Sequence, residues 1–337
     1  MLRWVLAATA VGLAAWVVSG QLGELTGAGR LLAHLRWSWA VVAVAVEALS
    51  YLASAQLQRV LLWSGGIPAG VGRTTLIGLA TSAMQNSLPA GAAFAGVFAY
   101  RQYRRMGADE VLAAWSVVAV TGCLFVALAG LAVVGLLLAF GTGSALGLVQ
   151  VLGGLGAAAA ALVLLWSRRR WVLARVVGGI RLGQRLTGRP RADVAAHAQR
   201  VASRLLAVTP SRRRWAAALA AATATWVFDL LCLAAGFAAV GADLPWRGLL
   251  LAYAAAQLAA TLPITPGGLG VVEGSLTVAL VAFGGAEVDT VAAVLVYRVV
   301  SYWAEIPVGW GASAVAGRLG HRRAPAPQPA LEVGEAL

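Results

Sequence analysis

Apolar runs of membrane length recur along nearly the whole chain, separated by short stretches rich in arginine. A helix needs about 20 mostly apolar residues to cross a bilayer. Six runs come close to or exceed that length, at 3–19, 37–63, 111–139, 147–166, 215–240 and 290–313. Two more, 73–100 and 248–284, are broken midway, by Ser87-Leu88-Pro89-Ala90-Gly91 and by a loop at 263–270. Proline removes a backbone donor and glycine loosens a helix, so each of these predicts two short helices meeting inside the membrane. Irregular backbone at that depth survives only against protein or a wet cavity. The pattern predicts an all-α, polytopic integral membrane protein with about six full spans and two broken or re-entrant hairpins. Residues 1–323 read as one transmembrane domain and 324–337 as a disordered tail.

Composition agrees. The 337 residues are 60% hydrophobic and only 12% charged, against about 25% charged in a soluble domain, and the mean hydropathy is +0.81. The net charge of +13 comes from 26 arginines with no lysine. So basic a chain could bind nucleic acid, but its arginines cluster in loops beside apolar spans. Anionic headgroups and the positive-inside rule account for that placement. Cys123 and Cys232 lie inside apolar blocks and read as small buried hydrophobes. Arg3 precedes an apolar run ending near Ser19-Gly20, which reads as a retained first helix rather than a cleaved signal.

Arginine placement orients the spans. With both termini cytoplasmic, 22 of the 26 arginines fall inside, three outside, and Arg298 within the membrane. Thirteen of the inner ones sit in 167–214, where apolar residues at helical spacing (Trp171, Leu173, Val176, Val177, Ile180) predict an amphipathic helix on the inner leaflet. Segment 73–100 then enters from inside and 248–284 from outside. The two resemble copies at an offset of 174–179 residues: Leu88-Pro89 against Leu262-Pro263, Gly107-Ala108 against Gly285-Ala286, and a Gly-rich turn with proline before each. Repeat halves at about 37–139 and 215–313 make an inverted repeat, the arrangement that places substrate sites near the midplane of many transporters. Two ordinary kinked hairpins remain the alternative.

Enzyme signatures are scarce. His34, His197 and His321 lie far apart without metal-ligand spacing, and neither a Gly-x-Ser-x-Gly elbow nor a Walker loop is present. Gly268-Leu269-Gly270 begins like a dinucleotide fingerprint, but Glu273 takes the third glycine's place. No catalytic residue, cofactor or metal is expected. The intramembrane polar set carries more: Glu47, Gln85, Asn86, Asp229, Gln257, Thr265, Glu273, Arg298, Tyr302 and Glu305. Arg298, Tyr302 and Glu305 share a helix face, and an arginine at this depth needs a counter-charge, from Glu273, Asp229 or Glu305. The helix start near 266–271 offers N–H groups to an anion such as phosphate. These groups either handle a substrate or proton, or only satisfy one another and pin the fold.

At these residues the chain resembles the transmembrane domain family of lysylphosphatidylglycerol synthases, also called the flippase-like domain family. The likeness rests on Leu262-Pro263-Ile264-Thr265-Pro266-Gly267-Gly268-Leu269-Gly270 with Glu273, on Tyr297-Arg298 before Tyr302-Trp303, and on Asn86 with Pro89 and Gly91. It implies a multi-pass protein of the bacterial cytoplasmic membrane that moves a lipid between leaflets, an anionic phospholipid or a polyprenyl-phosphate-linked glycan. The implied substrate site is Asn86, Pro89, Thr265, Gly267, Gly268, Gly270, Glu273, Arg298 and Tyr302, with Asp229 and Glu305 as supporting ions. Two departures matter. Ala92, Ala93, Phe94 and Ala95 are apolar where family members often carry a Gly-Glu step, and a short Pro-rich tail stands where the synthases continue into an aminoacyl-transferring domain. Lysine transfer is therefore not expected. A small-anion or proton-coupled carrier, and a non-transporting scaffold for an envelope enzyme, are the alternatives.

Overall fold

The computed structural model describes residues 35–140, 208, 210–261 and 265–321. The expected spans 3–19 and 147–166, almost all of the basic segment 167–214, the Leu262-Pro263-Ile264 step and the tail 324–337 lie outside them. All regular structure among the described residues is helical. A long helix α1 (Trp37–Ser64) leads to two short ones, α2 (Val71–Ser87) and α3 (Gly91–Arg105), and then to a long α4 (Glu110–Phe140). The same order follows again: long α5 (Arg212–Val240), short α6 (Trp246–Ala260) and α7 (Val271–Ala282), then α8 (Glu287–Arg298) running through a π turn (Val299–Trp303) into α9 (Glu305–His321). Among the described residues, four stretches are long and apolar enough to cross a membrane: Trp37–Ser64, Glu110–Phe140, Arg212–Val240 and Glu287–Arg318.

Both breaks fall where proline and glycine place them. Leu88 is extended (φ −108°, ψ 143°), the conformation forced on a residue preceding proline. Ala90 turns left-handed (φ 53°) to start α3. In the second break a 3₁₀ turn spans Pro266–Gly268, and Gly270 (φ 78°) precedes α7. Pro307 gives a physical reason for the π turn. It lacks the N–H that would bond back one turn, and its ring crowds that carbonyl. An i→i−5 bond from Ala304 N–H to Val299 O (2.9 Å) absorbs the misfit.

Packing repeats the symmetry of the element order. α1 lies along α5, α2 packs on α9, and α6 packs on α4, so each half's first short helix leans on the other half's last long one. Glycines permit both of the latter contacts. A Cβ on Gly135 of α4 would lie 2.6 Å from the Leu251 N of α6, and one on Gly309 of α9 would strike the backbone of Leu79 on α2. The two glycines stand 174 residues apart, and small residues at such seams let membrane helices approach closely. One apolar core joins α5–α8 around Phe237, Tyr253 and Leu276; another joins α1–α4 around Leu62, Ile77 and Leu112. Cys123 and Cys232 are buried, as expected from their positions.

Candidate functional site: a polar cavity between two broken helices

The two breaks meet. Gly267 (φ 59°) sits so close to the end of α2 that a Cβ there would come within 2.9 Å of the Asn86 Cα and strike the Tyr302 ring. The Asn86 carbonyl, one of the orphans at a helix C-terminus, accepts from the Tyr302 hydroxyl at 2.6 Å. The Asn86 amide donates to Glu305 Oε2 at 3.0 Å, and Trp310 Nε1 donates to Ser87 Oγ at 3.1 Å. The last turn of α2 is thus held by the π turn and α9. Thr265 Oγ1 donates to Leu269 O at 2.8 Å and Gly268 N–H to Thr265 O at 3.2 Å, closing the Pro-Gly-Gly loop on itself.

Arg298 ends α8 with only 7% of its surface exposed. Its Nε donates to Glu273 Oε1 at 2.6 Å, so of the three candidate counter-charges Glu273 is the direct one. The guanidinium lies 4.1 Å from the Tyr302 ring centroid, a cation–π contact. Nη2 is buried with no hydrogen-bond partner. Glu273 Oε2 meanwhile accepts from Gly270 N–H at 2.7 Å. That carboxylate therefore occupies an N–H at the start of α7, where the sequence pointed to an anionic ligand. Its own side chain compensates the helix end.

Asp229 of α5 forms a second centre. Three donors converge on its Oδ2: the Tyr253 hydroxyl, Gln257 Nε2 (2.9 Å) and the Tyr297 hydroxyl (2.9 Å). Glu47 of α1 is within hydrogen-bonding reach of Asp229, and Tyr51, one turn on, is within reach of Glu305. Glu305 does not bond Arg298. The π turn adds a residue to the helix between them, so the spacing of seven no longer stacks both on one stripe.

These groups border one cavity of about 690 Å³. Its polar wall is built from α1, α2, α5 and the 297–305 stretch, including Glu47, Asn86, Asp229, Arg298 and Glu305. The lining from α3 and α4 carries no charge and is mostly small or apolar: Ala92, Ala95 and Gly96 of α3, with Val120, Leu124 and Phe125 of α4, beside the hydroxyls of Tyr103 and Thr121. Phe125, 45% exposed, is the midpoint of the long α4, and Pro89, Ala92 and Thr121 on the same rim are also exposed. Of the residues marked in the sequence, Glu47, Gln85, Asn86, Pro89, Asp229, Gln257, Thr265, Gly267, Arg298 and Glu305 line the cavity. Glu273, Gly268, Gly270 and Tyr302 stand behind that lining and hold it in place.

The sequence marked Glu47 but not the rest of a polar stripe on α1. Glu47, Ser50, Tyr51, Ser54 and Gln58 all line the cavity, at spacings of three and four residues that put them on one face. A polar stripe at helical period within an otherwise apolar span was the signal. Tyr103, whose hydroxyl donates to Gln58 Oε1 at 3.1 Å, gave none, because its partner is 45 residues away.

Broken helices meeting around a cavity of mixed ionic and apolar lining define a class: multi-pass helical membrane proteins with interrupted helices. The sequence matches the lysylphosphatidylglycerol synthase TM region over residues 3–309, and the chain belongs to that family. No curated protein matches it.

Proposed function

We propose that this protein is a lipid translocase, flippase-like, which moves a phosphate-bearing lipid between leaflets without converting it chemically. The observation that carries this is the mixed lining of the cavity. Ionic groups from α1, α5, α8 and α9 share it with small and apolar side chains from α3 and α4, among them the exposed Phe125 at the middle of a spanning helix. An opening at that depth meets hydrocarbon rather than water. A headgroup lies against the polar wall while acyl chains stay along α3 and α4. Arg298 lines the cavity and its Nη2 has no hydrogen-bond partner, which leaves the guanidinium donor capacity for a phosphate oxygen. The substrate class is an anionic phospholipid or a polyprenyl-phosphate-linked lipid, in a bacterial cytoplasmic membrane with both termini inside. The repeated element order, with Gly135 and Gly309 at matching seams, supports an inverted repeat whose two hairpins alternate access.

The test is leaflet exchange of fluorescent phosphatidylglycerol in proteoliposomes. Native protein is expected to equilibrate the label, and Arg298→Ala to slow exchange by about tenfold or more, the cost of losing one charge-assisted contact of about 1.5–3 kcal/mol. Equal rates would remove Arg298 from the site.

A further inference from the structure

Charge does not balance in the cavity wall. Glu47, Asp229 and Glu305 are 6%, 8% and 5% exposed, and the one buried cation among the described residues, Arg298, is bonded to Glu273. Glu305 receives the Asn86 amide at Oε2, while its Oε1 is buried without a partner. Asp229 is settled on one oxygen alone. Tyr253, Gln257 and Tyr297 all donate to Asp229 Oδ2, and none of the hydrogen bonds of the described residues brings a donor to Oδ1. Glu47, beside Asp229, leaves Oε2 buried without a hydrogen-bond partner while the residue lines the cavity. Two acceptors facing each other in a low-dielectric wall repel unless something positive lies between them.

We propose that Glu47 and Asp229 together bind one monovalent cation, a proton or Na⁺, admitted through the cavity. The carboxylates come from α1 and α5, the helices that join the two halves along their length, so occupancy changes the repulsion across that seam. A cation entering or leaving there biases how the halves sit together and couples an ion gradient to lipid movement. That coupling rests on the translocase reading; the site itself does not. The groups facing the pair are Tyr51 from α1, Cys232 from α5, Tyr253 from α6, Tyr297 and Arg298 from α8, and Glu305 from α9. None of them brings a free positive charge.

Melting the full-length protein in detergent tests this without lipid transport. A ligand that binds only the native state raises Tm. One series replaces choline chloride with NaCl at fixed pH, and the other lowers pH through the near-neutral range at fixed salt. A rise with NaCl marks Na⁺ as the occupant, and a rise on acidification marks the proton. In Glu47→Gln and in Asp229→Asn that rise is expected to be lost. If a neutralised variant does not fold, Glu47→Asp keeps the charge and is expected to move the midpoint of the response. The proposal is overturned by a native Tm indifferent to both series, or by a response left intact in Glu47→Gln and Asp229→Asn or unmoved in Glu47→Asp. Either outcome leaves the lipid-exchange result standing on its own.

Discussion

Arg298 makes two contacts, an ion pair with Glu273 and a face-on approach to the Tyr302 ring, and it lines the cavity with Nη2 left unpartnered. Its partner Glu273 is mostly buried, 20% exposed at the side chain. Removing one member of a buried pair strands the other charge, at a cost of about 3–5 kcal/mol. Glu273→Gln is therefore expected to lower Tm sharply, and Glu273→Gln combined with Arg298→Gln to cost less than the sum of the two single changes. A double-mutant cycle by thermal melting checks this, and additive costs would mean the pair is not coupled. Intramembrane charge made these residues legible in the sequence, and the need for a counter-ion narrowed the partner to three candidates. The choice among them was not legible, because it depends on how α7 is set against α8 across the Pro-Gly-Gly loop. The Asn86–Glu305 bond, across 219 residues, left no local trace.

At the scale of elements, proline and glycine marked both breaks to within a few residues, since backbone chemistry alone decides where a helix cannot continue. Helices α2 and α3 meet at Leu88–Ala90 and α6 ends at Ala260, close to the expected positions. The expected span at 215–240 begins at Arg212, where Ser211 Oγ accepts from Arg214 N–H at 3.4 Å to cap α5. The π turn was hidden because Pro307 sits within a run of membrane length, 290–313, where a kinked and a straight helix read alike. The seams make a sharper test. Gly135→Ala and Gly309→Ala push a methyl against backbone and are each expected to destabilise by about 1–3 kcal/mol. Gly130→Ala, on the same helix as Gly135 with open space around it, is expected to be neutral or slightly stabilising. Similar melting behaviour in all three would remove the seam from the packing.

For the whole molecule, arginine distribution and repeat spacing set the expectation that the hairpins enter from opposite sides. The loops after α3 and α7 then face opposite compartments. Cys123 and Cys232 are buried, so single cysteines at the exposed Arg105 and Glu287 can be read against a quiet background. A membrane-impermeant maleimide applied to intact right-side-out vesicles is expected to label Glu287→Cys and spare Arg105→Cys. Labelling of both from one side would contradict an inverted repeat.

The central claim is that lipid passes through the cavity between the breaks, and blocking that space tests it most directly. Ala92 is exposed and lines the cavity from α3, which contributes no charged group to it, so Ala92→Trp fills the path while leaving Arg298 and the carboxylates in place. In proteoliposomes carrying fluorescent phosphatidylglycerol in one leaflet, native protein is expected to redistribute the label. Ala92→Trp is expected to behave like protein-free vesicles while melting at the native temperature. Native protein that leaves the label where it was placed, or a plugged variant that moves it as fast as native, would contradict the claim.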